Sequence, residues 1–358
     1  MPVEMIGWIA PRISSEVIAP QGPAFDVNVI THTARVHEQA DFDRVLIGYF
    51  SDAPDGFMVG AHAAAVTERL HFLLAHRPGF VAPTLAARKL ATLDQVSDGR
   101  LGVHIIAGGS DVDQARDGDH TDHAARYRRA SEYIDVLRRS WTSTVPFDHT
   151  GEFYRIAGAH ADIRCRQTPH IPVYGGGGSD DAIAALSGHV DVFMLWGEPL
   201  AETAAFMARV KTAAIAAGRT APRFSLSTRP ILAKTDAEAW DRARSILARV
   251  QARRGGAAAP TPENVGSQRL LAAAAASDVH DTCLWMKLAE ATGARGNSTA
   301  LVGSPDTVAA ALATYYELGA TSLLIRGYEP LEDAHQYGTE LIPRLRQRVA
   351  EIDARRRH

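Results

Sequence analysis

Cysteine is almost missing from this sequence. Only Cys165 and Cys283 occur in 358 residues. They lie far apart and in no C-x-x-C or other ligand spacing, so a disulfide framework and a zinc cluster are excluded and both read as buried or incidental thiols. An excess of one charge is missing too. The chain has 38 Lys and Arg against 41 Asp and Glu, a formal net charge of −3, and so even a balance offers no field suited to nucleic acid or an anionic membrane. No apolar run reaches the roughly 20 residues of a membrane span. The start, Met1-Pro2-Val3-Glu4, has no basic segment leading into an apolar one. A soluble cytoplasmic protein is the expectation. There is no G-x-G-x-x-G fingerprint for a dinucleotide. There is also no repeat with a period of about 20–50 residues, which excludes a solenoid.

What is present is an alternation of short apolar runs and amphipathic stretches. Strands are predicted at Glu4 to Ala10, Arg44 to Tyr49, Leu70 to His76, Leu101 to Ala107, Ile171 to Tyr174, Val190 to Trp196, Phe224 to Ala233 and Thr321 to Ile325. Helices are predicted at Asp26 to Ala40, Phe57 to Thr67, Pro83 to Val96, His123 to Trp141, Asp180 to Leu186, Ala201 to Ala217, Ala237 to Ala252, Pro305 to Leu318 and Leu331 to Ala354, the last with a break expected at Pro343. Asp148 to Tyr154 reads as a small hairpin. Most strands are apolar throughout, as in a parallel sheet covered on both faces. Eight strands in such alternation, in a chain that is 46% hydrophobic, argue for a closed (β/α)₈ barrel of one domain over residues 1–358. The alternation breaks once. Arg253 to Pro260 is a small-residue linker and Val265 to Ala291 a further helical stretch. Residues 253–298 read as an inserted segment, either a lid over the site or a surface insertion.

Tyr174-Gly175-Gly176-Gly177-Gly178-Ser179-Asp180-Asp181 stands between the fifth strand and its helix. Strand, glycine turn and helix aim bare N–H groups at an anion, and Ser179 can cap the helix and donate its hydroxyl. The stretch reads as a phosphate cradle or as an ordinary glycine turn. The other residues at strand ends, where such barrels carry their sites, are His76 and Arg77, Gly108-Gly109-Ser110, Trp196-Gly197-Glu198, Ser227-Thr228-Arg229 and Arg326-Gly327-Tyr328. They are basic and aromatic, suited to an anionic ligand with a flat ring.

Phe72-Leu73-Leu74-Ala75-His76-Arg77-Pro78 and the block from Ala82-Pro83-Thr84 to Ser97-Asp98-Gly99-Arg100 resemble the bacterial-luciferase-like flavin monooxygenases. Asp122-His123-Ala124-Ala125-Arg126-Tyr127, Leu195-Trp196-Gly197-Glu198-Pro199, Thr299 to Gly303 and Gly327-Tyr328-Glu329-Pro330-Leu331-Glu332 extend the resemblance over nearly the whole chain. Within the superfamily the chain is most similar to the two-component alkanesulfonate monooxygenases. That resemblance implies a (β/α)₈ barrel that takes reduced FMN (FMNH2) from a separate NAD(P)H-dependent flavin reductase. It implies that O2 oxidises an organosulfonate, which loses sulfite and leaves an aldehyde. It implies a homodimer or homotetramer. By the same match, Tyr127, Gly177, Gly178 and Ser179 hold the cofactor phosphate, with His123 beside them. Ala75, His76 and Gly108 lie at the flavin. Trp196, Arg229, Arg295 and Tyr328 form the catalytic set. Two positions depart from the family: Ala53 stands where it has a cysteine, and Ser227-Thr228-Arg229 where it has Arg-x-His. An alkanesulfonate and a polar or sugar sulfonate are both open as substrates.

A sulfonate is a permanent monoanion with three acceptor oxygens, which arginine forks match well. Arg229 is expected to anchor it and Arg295 to close over it with the lid. The same charge would stabilise anionic character developing in the reaction. Two other readings stand beside this one: a deazaflavin (F420)-dependent oxidoreductase on the same barrel, and a non-catalytic flavin-binding protein.

Overall fold

The computed structural model describes residues 3–255, 262–296 and 298–357. Eight parallel strands form its centre: β1 (Glu4–Ile9), β2 (Arg44–Ile47), β3 (His71–His76), β4 (Leu101–Ile105), β5 (Val173–Gly176), β6 (Val192–Trp196), β7 (Arg223–Leu232) and β8 (Ala320–Ile325). Each pairs with the next, and β8 pairs back to β1, so the sheet closes into the expected barrel. Closure leaves no strand edge within the ring itself.

The barrel has two faces with different tasks. The outward face of the strands meets the surrounding helices in one large apolar core. The inward face is filled midway by Ile6, Leu46, Leu73, Val192 and Leu324. Below that layer a polar plug closes the N-terminal end. Glu4 accepts hydrogen bonds from Arg44 (2.9 Å), Ser322 (2.7 Å) and Tyr174 (3.1 Å), so a buried carboxylate has a partner on each side. Above the middle layer the barrel opens, and the site is built there.

Helix ends follow the local signals. Pro83–Val96 starts on Pro83, whose missing N–H costs nothing in a first turn, and Asp180–Leu186 and Pro305–Leu318 start on Ser179 and Ser304 as caps. Two expectations need correction, and one is met with a change of place. The stretch 265–291 is not one helical segment. It is a helix, Val265–Ala276, then two short strands, Val279–His280 and Leu284–Trp285, then a helix, Lys287–Thr292. The alanine run sustains the helix only until β-formers take over. Leu284–Trp285 pairs with Ala300–Gly303, and that strand lies parallel to the far end of β7, with Ala300 opposite Arg229. The break expected in the final helix is present, as a widened turn at Tyr337–Leu341 just before Pro343. Proline cannot donate to the carbonyl four residues back and crowds it. The hairpin is larger than expected, pairing Phe147–Thr150 with Arg155–Ala159. Part of the linker, residues 256–260, lies outside the described residues. No helix among the described residues is long and apolar enough to cross a membrane.

Four histidines are embedded in this architecture. Burial disfavours the charged imidazole and pushes His37, His71, His76 and His104 each down to about 4. The folded values lie below those of the unfolded chain, so the unfolded chain binds more protons between the two. Stability is full above about pH 6.5 and falls as pH drops toward 4. Urea unfolding between pH 7 and 5 is expected to show a midpoint that falls with increasing steepness, from about one proton per pH unit of slope near pH 7 to about three to four near pH 5. A flat profile over that range would contradict the burial of these rings.

Candidate functional site

The cradle forms where β5 ends. A Cβ on Gly177 would collide with the Tyr127 hydroxyl and sit 2.6 Å from the Ala182 Cβ. Glycine is therefore what lets tyrosine and backbone approach each other. Tyr127 comes from the helix His123–Thr142, which Asp122 caps through the Ala125 N–H at 2.9 Å. Its hydroxyl hydrogen-bonds the side chain of Ser179, and burial raises it to about 12, so it stays protonated and able to donate. Ser179 is buried and accepts from the Ala182 N–H at 3.2 Å. His123 lies against the Tyr127 ring, 5.0 Å between centroids, with Nδ1 3.3 Å from Asp181. The structure thus brings together Tyr127, Gly177, Ser179 and His123 at one turn. Two hydroxyls and the turn's backbone N–H groups are the donor set a phosphate monoester needs, so the residues fit that group.

The inserted segment packs over this turn. A Cβ on Gly178 would lie 2.8 Å from the Gly266 backbone, and one on Gly266 would lie 2.8 Å from the Trp196 ring. The helix Val265–Ala276 therefore rests directly on the cradle and on Trp196, glycine against glycine. Asn264 caps it through the Ser267 N–H at 2.7 Å. Arg269 holds it to Glu198 (Nε to Oε1, 2.8 Å), and Ser267 donates to the Ala294 carbonyl at 2.7 Å. Arg295 follows Ala294 beside this first turn and is exposed. Its neighbour Asn297 lies outside the described residues.

Arg229 is placed differently from the expectation. It is 1% exposed and faces the protein. Nη1 and Nη2 each donate to one Glu16 oxygen at 2.9 Å, Nη2 also to the Gly327 carbonyl at 2.8 Å, and Nε to the Arg326 carbonyl at 3.0 Å. Its guanidinium lies 3.8 Å from the centre of the Tyr328 ring. Most of the donors expected to anchor a sulfonate are spent inside the molecule. Arg326 also donates to Glu16, at 2.7 Å, and lies 5.2 Å over Trp8, but its side chain remains 28% exposed. Burial alone would raise the Glu16 carboxyl. The two guanidinia overwhelm that and hold it far below the usual carboxylate range. Arg326 is pushed down to about 10, first by burial and then by Arg229.

On the other side of the mouth, Ala75 faces inward and leaves space, while His76 points out into the helix layer. There His76 Nε2 pairs with the Tyr133 hydroxyl at 2.7 Å, and its ring meets the edge of Phe57. The His76 side chain is thus not gathered with the other site residues. Gly108 has φ +88°, a left-handed conformation that favours glycine, with Gln114 packed where a Cβ would stand. Arg77 is buried between the rings of Tyr49 and Phe80 and pairs with Asp113 and Asp117. Asp113 also accepts from the Ser51 N–H at 3.2 Å. This network ties together the loops after β2, β3 and β4, in the loop where Ala53 sits. Among the described residues, Thr299 Oγ1, Ser225 Oγ and His104 Nδ1 are buried without a hydrogen-bond partner.

Sequence reasoning missed Glu16 and Asp113. Glu16 lies in an unpatterned loop, and nothing in spacing links it to Arg229 213 residues away. Removing its charge strands a buried guanidinium. Glu16→Gln is expected to cost about 3 kcal/mol of stability, read by urea unfolding at pH 7. Unchanged stability would show that the pair does not hold the mouth.

The luciferase-like monooxygenase family matches residues 3–322. Three solved structures share the fold. A riboflavin lyase, solved with modified FMN and riboflavin, is 19% identical with a TM-score of 0.80, over 97% of this chain and 92% of that one. An EDTA monooxygenase from Chelativorans sp. BNC1 is 17% identical with a TM-score of 0.76, over 97% and 94%. A coenzyme F420-dependent tetrahydromethanopterin reductase from Methanopyrus kandleri is 17% identical with a TM-score of 0.70, over 96% and 100%. At such identities these likenesses speak to architecture alone. The family match spans most of the chain, barrel and cradle included, and the chain belongs to the luciferase-like monooxygenase family.

Proposed function

We propose that the protein is a reduced-FMN-dependent monooxygenase that uses O2 to oxidise an organosulfonate, releasing sulfite and leaving an aldehyde. The observation that carries the cofactor half is the cradle, where Tyr127, Ser179 and the Gly177–Gly178 turn converge under the inserted helix. Reduced FMN, when bound, would supply the electrons that activate O2. A separate NAD(P)H-dependent flavin reductase would deliver it. Tyr127 and Ser179 would donate to its phosphate, with His123 at the rim. The small inward side chain of Ala75 and the bare backbone of Gly108 leave room for a flat ring.

The remaining residues bind, cover and neutralise. The Gly266 turn and Trp196 close the phosphate side and keep water out, which a reactive oxygen species at this site requires. The Arg229–Glu16–Arg326 group holds two positive charges against one negative, so it favours a monoanionic substrate. Tyr328 braces Arg229 from behind, and Arg295 stands at the free margin of the inserted segment. Self-association would follow from the helix Gly56–Ala65, which is apolar on nearly all sides, with Met58 61% exposed. The second reading, hydride transfer with a deazaflavin, is favoured by the shared architecture with the F420-dependent reductase.

The test supplies reduced FMN from a reductase in air, with a panel of alkane and sugar sulfonates, and measures sulfite and aldehyde together. At least one sulfonate is expected to release both in equal amounts. Absence of sulfite across the panel, with reduced FMN consumed, would remove the sulfonate. Tyr127→Phe is expected to raise the reduced-FMN concentration for half-maximal rate about tenfold, as for one hydrogen bond to a charged group, without changing the products. An unchanged requirement would place the phosphate elsewhere.

A further inference from the structure

Of the arginines at the barrel mouth, Arg77, Arg229 and Arg295 can be assigned from the geometry. Arg77 is outnumbered by its acids, since Asp113 and Asp117 both pair with it. That side of the mouth carries one net negative charge. Arg229 is 1% exposed and turned to Glu16 and two carbonyls. Arg295 is exposed on the inserted segment, away from the buried group around Glu16. Arg326 differs from all three. It is two residues beyond Leu324, an inward-facing position of β8, so its side chain rises into the mouth. Among the described residues Glu16 is its one ion-pair partner, and Glu16 already serves Arg229.

We infer that Arg326, steadied by Glu16 over the face of Trp8, binds the anionic group of the substrate, an organic sulfonate or carboxylate, and that Arg229 acts as the positioning residue that holds Glu16. The inference rests on the proposed function in treating that ligand as the substrate. Three observations carry it. First, the group has two guanidinia and one carboxylate, all removed in part from water. The unbalanced charge costs free energy that a bound anion would recover. Its effect is visible on Arg326, which burial and Arg229 together push down to about 10. Second, the exposure is asymmetric. Arg326 keeps 28% of its side chain open while Arg229 keeps 1%, so an incoming anion meets Arg326 first. Third, a small crevice lies beside Arg326, with room for about a water or two, lined by Trp8, Ser14 and Ser15 at the mouth and by His37, Phe42 and Tyr337 toward the helix layer. The Ser15 and Tyr337 hydroxyls already donate to the Tyr328 and Pro230 carbonyls, so the crevice adds the Ser14 hydroxyl and the Trp8 indole face, 5.2 Å from the guanidinium, for the carbon skeleton.

This arrangement predicts an unusual pairing of effects. Arg326→Gln removes the surplus charge and leaves the Arg229–Glu16 pair intact. Affinity for an anion should fall while the folded protein becomes more stable. A merely structural arginine would lose stability instead.

The experiment measures binding of butanesulfonate, butanoate and the neutral butyl methyl sulfone by calorimetry, with and without FMN, alongside melting temperature. The wild type should bind at least one anion and not the sulfone. Arg326→Gln should weaken that binding about tenfold or more, as for loss of one charge-assisted contact, and should raise the melting temperature. Arg326→Lys, which keeps the charge without the fork, should recover part of the affinity. Tighter binding of butanesulfonate would identify a sulfonate pocket, and equal or tighter binding of butanoate a carboxylate pocket. Either supports the inference. Arg326→Gln binding anions like the wild type would overturn it. So would loss of binding together with a fall in melting temperature that Arg326→Lys fails to reverse, and so would a wild type that binds no anion. If sulfite is nevertheless released in the turnover assay, the monooxygenase reading stands without this site. If the anions bind through Arg326 but sulfite never appears, the site stands and the sulfonate reaction falls.

Discussion

The bidentate pair between Arg229 and Glu16 sets the shape of the barrel mouth. Through it the loop after β1 is tied to β7, and through the same guanidinium β7 is tied to the carbonyls at the end of β8. The Arg229 N–H adds the Thr299 carbonyl, which brings in the strand that returns from the inserted segment. Four separate stretches of chain thus meet at one residue, three through its side chain and the fourth through its backbone. A fully buried cation at such a junction is tolerable only with a carboxylate and extra acceptors around it, and this one has both. The pair also decides which arginine faces outward, because Glu16 cannot neutralise two.

Opposite this charged corner, the cradle side of the mouth is made by close approach rather than charge. Gly177 admits the Tyr127 hydroxyl, and Gly178 admits Gly266 of the inserted helix. A methyl group at either position would push two elements apart. The inserted segment is therefore part of the cradle's wall, locked by Arg269 on Glu198 and by Ser267 on the Ala294 carbonyl. One surface offers an anion donors converging on a turn, the other surplus positive charge. Between them lies the inward face of Ala75.

The barrel was legible because parallel strands buried on both faces read as unbroken apolar runs. Helix ends were legible where chemistry marks them, as at Pro83, Ser179 and Ser304. The cradle could be read because glycine, serine and a helix start are adjacent in sequence. The charged corner could not. Glu16 lies in a loop without period, and its partners are 213 and 310 residues away. Arg229 was legible as a strand-end cation, but whether it faces solvent or a buried acid depends on that distant loop. His76 shows a similar limit. One step along a strand turns a side chain from the mouth to the helix layer, and its hydroxyl partner, Tyr133, comes from another element. The strands at Val279–His280 and Leu284–Trp285 were hidden because each is only two residues long and exists through pairing.

The account centres on a barrel that takes a reduced flavin by its phosphate and covers it with the inserted helix. The most direct measurement is an anaerobic competition between reduced FMN and reduced deazaflavin for the protein, made with the wild type and with Gly178→Ala. The account predicts that reduced FMN binds and is not displaced by equimolar deazaflavin. It also predicts that Gly178→Ala weakens FMN while exposing residues 265–276 to hydrogen exchange. Preferential binding of the deazaflavin, or FMN binding indifferent to Gly178, would contradict it.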